Sequence, residues 1–303
     1  MFIQQANTIE NPFWKYLVGS FILFCASIFG QLPFTLGVYL KSSIEKIPYP
    51  NSYEDTMGFL ESNLTLFLML VSFLFVFIQL YALVRFFHKQ SFIQIITSRN
   101  TIDWNRVLFS FSIWGAITVV STVIVYILYP EDFIVQFNWI PFLILFLIGL
   151  LLFPFQIGCE ELIFRGYLMQ GFGNLAKNRW VPLLMTSIIF GLLHIANPEV
   201  DKMGYSILIY YIGTGLFLGI ITLMDDGIEL ALGFHFANNF IAALLVTSDW
   251  TAFQTHSILK STSDPSVFFD ILLPVSIIFP MLLLLFAKKY QWTNWLEKLT
   301  GRF

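Results

Sequence analysis

Long apolar stretches separated by short polar ones make up most of this chain. Eight of these stretches are long enough to cross a hydrocarbon core of about 30 Å, which takes roughly 20 apolar residues in a helix. We place them at residues 13–39, 60–87, 107–129, 139–164, 180–197, 204–224, 228–247 and 266–287. The fifth and the seventh are shorter or more polar than the others. The pattern therefore predicts an all-α polytopic membrane protein with about eight transmembrane helices.

Composition supports the same class of protein. The chain is 57% hydrophobic and only 12% charged over 303 residues, whereas a soluble domain carries roughly 25% charged residues. No polar stretch is long enough to fold separately, so we expect a single membrane domain spanning residues 1–303. The net charge of −3 offers no basic surface for nucleic acid, and the partner that composition predicts is the lipid bilayer.

The lysines and arginines between the apolar stretches predict the orientation, because cytoplasmic loops are enriched in these residues. With both termini inside, the inner segments contain Lys15, Arg85, Lys89, Arg99, Arg106, Lys177, Arg179, Lys288, Lys289, Lys298 and Arg302. The outer segments contain only Lys41, Lys46, Lys202 and Lys260. We therefore expect both termini to be cytoplasmic, and the composition suggests a bacterial inner (cytoplasmic) membrane.

Three charged residues stand at the end of the fourth apolar stretch. Charge inside a bilayer is costly, so such residues are rare and usually pair with one another or carry function. Glu161 and Arg165 are four residues apart, which places them on one helix face where they can pair, whereas Glu160 points away from Arg165. A purely structural interpretation is an ion pair that closes the helix end, with Glu160 solvated at the membrane interface.

Two histidines and an asparagine lie in later apolar stretches. His235 and Asn239 are four residues apart and share a helix face. If the inner boundary lies near residues 173–179, Glu160 is about 18 Å deep and His194 about 21 Å deep, while His235 and Asn239 are about 14 and 20 Å deep. These similar depths favour one intramembrane polar cavity, although each histidine alone could simply join two helices by a hydrogen bond.

The chemistry that fits these groups is activation of water. A buried carboxylate is a suitable general base, with which a neutral imidazole can share the task. We predict that Glu160 pairs with His194, and that His235 and Asn239 stabilise the oxyanion of a tetrahedral intermediate. No serine or cysteine is placed as a nucleophile. The same set could instead bind a divalent metal such as zinc through Glu160, His194 and His235, since two histidines and a carboxylate form a plausible ligand set.

The order and spacing of these motifs resemble those of a known family. Residues 150–245 contain, in order, Glu160-Glu161-x-x-x-Arg165, then Phe190-x-x-x-His194 followed by Asn197-Pro198, and then His235-x-x-x-Asn239. This pattern is similar to that of the CAAX-protease and bacteriocin-processing (CPBP) family, also called Abi. The family includes the eukaryotic endoprotease that trims prenylated CAAX proteins.

The resemblance implies an intramembrane endopeptidase with a peptide or protein as its substrate. Its catalytic core would be residues 150–245, and its cavity would open toward the cytoplasm. By motif position, Glu160 and His194 would activate water, and Glu161 and Arg165 would support them. The family has been described both as glutamate proteases and as metalloproteases, so metal dependence stays open. Two alternatives also stay open, namely a proton- or cation-coupled transporter and a catalytically silent immunity or scaffold protein.

Overall fold

The computed structural model describes residues 1–6 and 11–303, apart from the side chains of residues 53 and 54. Its α-helices are α1 (Phe13–Gly30), α2 (Leu32–Glu45), α3 (Tyr53–Met57), α4 (Ser62–Ala82), α5 (Trp104–Leu128), α6 (Trp139–Glu161), α7 (Met169–Ala176), α8 (Trp180–Leu192), α9 (Pro198–Met203), α10 (Ile207–Asp225), α11 (Glu229–Phe236), α12 (Ala242–Leu245), α13 (Phe279–Tyr290) and α14 (Trp295–Thr300). Three short strands are β1 (Phe133–Val135), β2 (Val246–Thr247) and β3 (Leu259–Ser261).

The predicted all-α membrane fold is confirmed. Six continuous helical stretches in the described chain are long and apolar enough to cross a membrane: Phe13–Glu45, Ser62–Phe87, Trp104–Leu128, Trp139–Ala176, Pro198–Asp225 and Val267–Tyr290. Two shorter apolar helices, Trp180–Leu192 and Glu229–Leu245, coincide with the fifth and seventh apolar stretches. These two helices are too short for their length to show whether they cross the membrane. The number of spans therefore stays a prediction.

Several long helices contain a π-helical segment, a wider turn that is rare and often occurs at functional sites. One such segment, Leu162–Leu168, connects α6 to α7, and another, Ala237–Ile241, connects α11 to α12. The first contains Arg165 and the second contains Asn239, so both helices that carry motif residues change their winding beside those residues.

The fifth apolar stretch ends earlier as a helix than its sequence predicts. Helix α8 stops at Leu192, and His194 lies in the turn that follows. The apolar stretch extends to residue 197, but Asn197 is the N-cap of the next helix, α9, with Pro198 at the first helical position. Proline is favoured there because its fixed φ suits a first helical turn and no N–H is needed.

Glycines allow the helices around the site to approach closely. A Cβ atom at Gly215 of α10 would lie 2.9 Å from the backbone of Ser187 in α8. Likewise, a Cβ at Gly191 of α8 would lie 3.0 Å from the backbone nitrogen of Ile212. Small residues are common where membrane helices pack backbone to backbone. The α8–α10 pair is therefore held close along its length, next to the motif residues of α6.

One end of the helix bundle is held together by charged contacts around Asp225 and Asp226. Arg99 donates to Asp225 Oδ2 at 3.1 Å. The backbone nitrogen of Phe2 donates to Asp226 Oδ1 at 3.1 Å, and Lys298 also pairs with Asp226. These contacts join the N-terminal segment, the α4–α5 connection, the α10–α11 turn and the C-terminal segment, which the charge pattern predicted to lie on one side.

The connections at the opposite end form a small sheet and a second set of ion pairs. Strand β3 lies in the centre, antiparallel to β1 and parallel to β2. Nearby, Glu61 pairs with His256 at 2.6 Å, and Lys202 pairs with Asp264 at 2.6 Å. The connections thus form two groups at the two ends of the bundle, while the side of the membrane that each group faces stays a prediction.

Candidate active site

A completely buried ion pair forms the base of the site. Arg165 Nη1 lies 2.9 Å from Glu161 Oε1, and neither side chain is exposed, which confirms that the two residues pair along one helix. Arg165 Nη2 also donates to the backbone oxygen of Gly215 at 3.4 Å, and the guanidinium lies 4.4 Å from the ring centre of Phe190. The arginine therefore joins α6 to both α8 and α10 and compensates the buried carboxylate.

His235 connects the two adjacent carboxylates of the motif. Its Nδ1 lies 2.7 Å from Glu161 Oε1, and its Nε2 lies 3.5 Å from Glu160 Oε2. Because a carboxylate paired with arginine accepts hydrogen bonds, Nδ1 is the nitrogen that donates to Glu161. His235 is only 7% exposed, so the two carboxylates fix the imidazole from both sides.

Glu160 is the accessible carboxylate of the pair. Its side chain is 17% exposed, in contrast to Glu161. Its Oε1 accepts a hydrogen bond from Gln156 Nε2 at 2.9 Å, which leaves Oε2 directed toward His235. Gln156 therefore holds one oxygen of Glu160, and the other, Oε2, stays beside His235.

Gln156 is a site residue that the sequence interpretation missed. It is buried at 5% exposure, and its Oε1 accepts from Asn239 Nδ2 at 3.2 Å. It precedes Glu160 by one helical turn on the same face. The sequence feature that could have identified Gln156 is its position, as a polar residue inside an apolar stretch, four residues before the motif carboxylate.

Asn239 reaches the site from the π-helical segment after α11, together with its neighbour. Asn238 Nδ2 donates to Asn239 Oδ1 at 3.1 Å. In a regular α-helix Asn238 would point away from the face that His235 and Asn239 share, whereas both amides join the same hydrogen-bond network here. One N–H of Asn239 is used by Gln156, and the second remains to donate elsewhere.

His194 lies next to this network but does not touch Glu160. Its Nδ1 lies 2.7 Å from the backbone oxygen of Phe190, and its ring stacks on Tyr211 at 4.4 Å. The Phe190 ring contacts both imidazoles, at 4.7 Å from His194 and 6.3 Å from His235. Among the residues that the structure describes, the imidazole within 4 Å of a Glu160 oxygen is that of His235.

The other two histidines lie outside the site. His256 belongs to the ion pair with Glu61 at the sheet end of the bundle. His88, which directly follows the second apolar stretch, is buried at 2% exposure. Its Nδ1 lies 3.0 Å from Asn11 Oδ1, and its Nε2 lies 2.8 Å from the hydroxyl of Tyr167, so it joins two distant segments of the chain.

The metal set that the sequence left open is not assembled among the described residues. The Nδ1 atoms of His235 and His194 are held by Glu161 and by the backbone oxygen of Phe190, so Nε2 is the ring nitrogen that each could offer to a metal ion. Within residues 1–6 and 11–303, no group of three or more His, Cys, Asp or Glu side chains is placed to hold a metal ion. Glu160, His194 and His235 therefore do not form a ligand set in this conformation.

Comparison with known proteins assigns the family. The family model of type II CAAX prenyl endopeptidase Rce1-like proteins matches residues 138–241, which include every motif residue described above. Over 244 residues, which cover 78% of this chain and 79% of the relative, the chain is 30% identical to a protein of Bacillus subtilis (strain 168) described as uncharacterized protein YyaK. No solved structure matches significantly.

The fold and the site define an integral membrane protein of the CAAX-protease type, with its motif residues gathered between apolar helices. The chain belongs to the Rce1-like family of type II CAAX prenyl endopeptidases, the CPBP family that its motifs resemble.

Proposed function

We propose that this protein is an intramembrane endopeptidase in which Glu160 activates a water molecule to hydrolyse a peptide bond. The observation that carries the proposal is the pairing of a partly accessible carboxylate, Glu160, with His235, an imidazole held in turn by the buried Glu161. A carboxylate oriented by an imidazole and shielded from bulk water is suited to general-base catalysis.

In the proposed reaction, the water donates a hydrogen bond to Glu160 Oε2 and attacks the carbonyl carbon of the substrate. Glu160 takes the water proton as the carbon–oxygen bond forms, which leaves a tetrahedral oxyanion. The carbon–nitrogen bond then breaks, and Glu160 returns the proton to the departing amine. His235, which Glu161 holds through Nδ1, stays beside Glu160 and orients it in both steps.

Asn239 is the proposed donor to the oxyanion. Its amide nitrogen donates one N–H to Gln156, so the second N–H is available for an oxygen that develops negative charge. Donors fixed in place before the reaction stabilise a transition state most effectively, because they need no reorganisation. His194 stays a predicted site residue, placed where it can contact a substrate that approaches past Phe190.

The proposed substrate is a peptide that reaches the bilayer through an apolar segment or an attached lipid. Two features support this class: the site belongs to helices apolar enough to lie in a membrane, and the family is named for prenylated substrates. A leader or signalling peptide fits these requirements as well as a prenylated protein does. We further propose that the protein resides in the bacterial inner membrane with both termini in the cytoplasm, supported by the distribution of basic residues.

The test is cleavage of membrane-anchored peptides by the purified protein in detergent, with Glu160→Gln as the critical variant. We expect this variant to lose cleavage, while Glu61→Gln, the same change at an exposed carboxylate of the opposite end, keeps wild-type activity. A chelator should leave the rate unchanged if the reaction needs no metal. Cleavage that survives Glu160→Gln would disprove the assignment. Ion-dependent flux in proteoliposomes that Glu160→Gln stops, without any cleavage, would favour a transporter instead.

A further inference from the structure

The hydrogen-bond network of the site continues into α5, a helix that carries none of the motifs. Trp114 Nε1 donates to Asn238 Oδ1 at 3.2 Å. Asn238 then donates to Asn239, Asn239 to Gln156, and Gln156 to Glu160. Three side-chain amides therefore form an unbroken relay between an indole and the proposed catalytic carboxylate.

The two ends of this relay fix its direction. An indole N–H can only donate, and an ionised carboxylate can only accept. Each amide between them has one oxygen and one NH₂ group, so every amide must turn its oxygen toward Trp114 and its nitrogen toward Glu160. If one amide were reversed, two oxygens or two NH₂ groups would face each other, and both bonds of that amide would be lost.

We propose that Trp114 is a positioning residue for the catalytic site, acting through the amides of Asn238, Asn239 and Gln156. By fixing the direction of the relay, the indole makes Asn239 present its nitrogen to the reaction centre. It also keeps Gln156 on Glu160 Oε1, which leaves Oε2 for the water. The inference rests on the proposed function, because it assigns these orientations a catalytic purpose.

Trp114 is well suited to this task because its own ring cannot easily turn. It is 7% exposed and packs against Phe234 with 4.5 Å between ring centres and against Phe279 with 6.0 Å. The hydroxyl of Tyr210 also lies 3.5 Å from Asn238 Oδ1. A hydroxyl can donate or accept, however, so Tyr210 alone cannot set the direction of the relay.

The substitution Trp114→Phe removes the N–H and keeps most of the ring. We expect kcat for peptide cleavage to fall about 3- to 10-fold, the effect of one lost hydrogen bond, with KM changed less than 2-fold. Trp139→Phe, at a tryptophan that is 64% exposed, is the matched control and should leave both constants unchanged.

A double variant separates positioning from packing. Asn238→Leu cuts the relay next to Trp114 and before both Asn239 and Gln156, so in that background Trp114→Phe should cause no further loss of kcat. If the tryptophan acted only by packing, the two losses would multiply instead, because sites that do not interact give additive free energies. Multiplied losses, or a Trp114→Phe variant with wild-type kcat, would overturn the proposal.

A spectroscopic measurement tests the relay without any substrate. The indole ¹⁵N–¹H resonance of Trp114 should shift in Gln156→Leu and in Glu160→Gln, but not in Glu61→Gln at the opposite end. If the indole resonance has the same position in Gln156→Leu and in Glu160→Gln as in wild type, the relay is refuted, even if the enzyme is active. Conversely, a shifted resonance in a protein that cleaves nothing would refute the proposed peptidase function and leave the relay standing as a structural connection.

Discussion

Glu160 and His235 lie 3.5 Å apart, from Oε2 to Nε2, although they belong to different helices. The opposite nitrogen of the same imidazole contacts Glu161, whose charge is compensated by Arg165. The two adjacent carboxylates thus have different environments. One is buried and paired with a cation, and the other is partly accessible and faces an oriented imidazole. This difference within one dipeptide is the basis of the catalytic role that we propose for Glu160 and the structural role of Glu161.

The two site histidines should differ in their effect on cleavage. We expect His235→Ala to lower kcat by about 10²- to 10⁴-fold, the usual contribution of a general base, because Glu160 loses the imidazole that orients it. His194→Ala should retain more activity, because His194 contacts Phe190 and Tyr211 rather than Glu160. Steady-state kinetics of both variants on one substrate shows which substitution lowers kcat more. The reverse order would support the pairing of Glu160 with His194 that the sequence alone predicts.

Removing the cation of the buried pair should destabilise the fold. Arg165→Met leaves Glu161 as an uncompensated buried charge, which typically costs about 3–5 kcal/mol of unfolding free energy. Adding Glu161→Leu to the same protein should recover much of that loss, because no charge then remains unpaired.

Chemical denaturation in detergent micelles measures both effects. The matched control is Lys202→Met, which breaks the exposed pair with Asp264 and should not change the stability measurably. An Arg165→Met variant as stable as that control would show that the buried pair is not required for folding.

Two glycine substitutions should have different effects on the free energy of unfolding. Gly215→Ala introduces a Cβ atom 2.9 Å from the backbone of Ser187, so the helices must separate, at a cost of about 1–3 kcal/mol. At Gly115 the nearest atom, in the Ile241 side chain, would lie at 3.6 Å, an ordinary contact. Gly115→Ala should therefore be neutral or slightly stabilising. Thermal unfolding of the two variants in detergent compares them, and equal effects would contradict the close α8–α10 packing.

His88 should make stability depend on pH in the acidic range. Burial, with the nearby charge of Lys15, lowers the pKa of His88 from 6.5 to about 4. The unfolded chain therefore binds a proton first as the pH falls. Stability should decline between pH 6.5 and 4, by up to about 1.4 kcal/mol per pH unit, and His88 should contribute no slope above that range. Denaturation of wild type and His88→Gln at several pH values tests this, and an equal slope in both proteins would refute it.

The sequence predicts well what depends on local geometry. The apolar stretches identified the membrane helices because burial in lipid requires them to be long and continuous. The contact between Glu161 and Arg165 followed from their spacing along one helix. The connections do form two groups at the two ends of the bundle, whereas the orientation that the basic residues predict stays a prediction.

The relation between helices could not be predicted in the same way. Which histidine faces Glu160 depends on how α6, α8 and α11 rotate against one another, and two π-helical segments change that rotation locally. The early end of α8 at Leu192 takes His194 out of the helix altogether. For similar reasons Gln156 was overlooked, since its importance comes from Asn239 on another helix.

The spacing of the buried charges also has a consequence for biosynthesis. Glu161 and Arg165 can neutralise each other as soon as their own helix forms, whereas His235 is made 74 residues after Glu161. At translation rates of 5–20 residues per second, that interval lasts roughly 4 to 15 s. During this time Arg165 already compensates Glu161, whereas Glu160 has its hydrogen bond from Gln156 but still lacks the imidazole of His235. The motif helix of each newly synthesised molecule can therefore form well before its proposed catalytic site is complete.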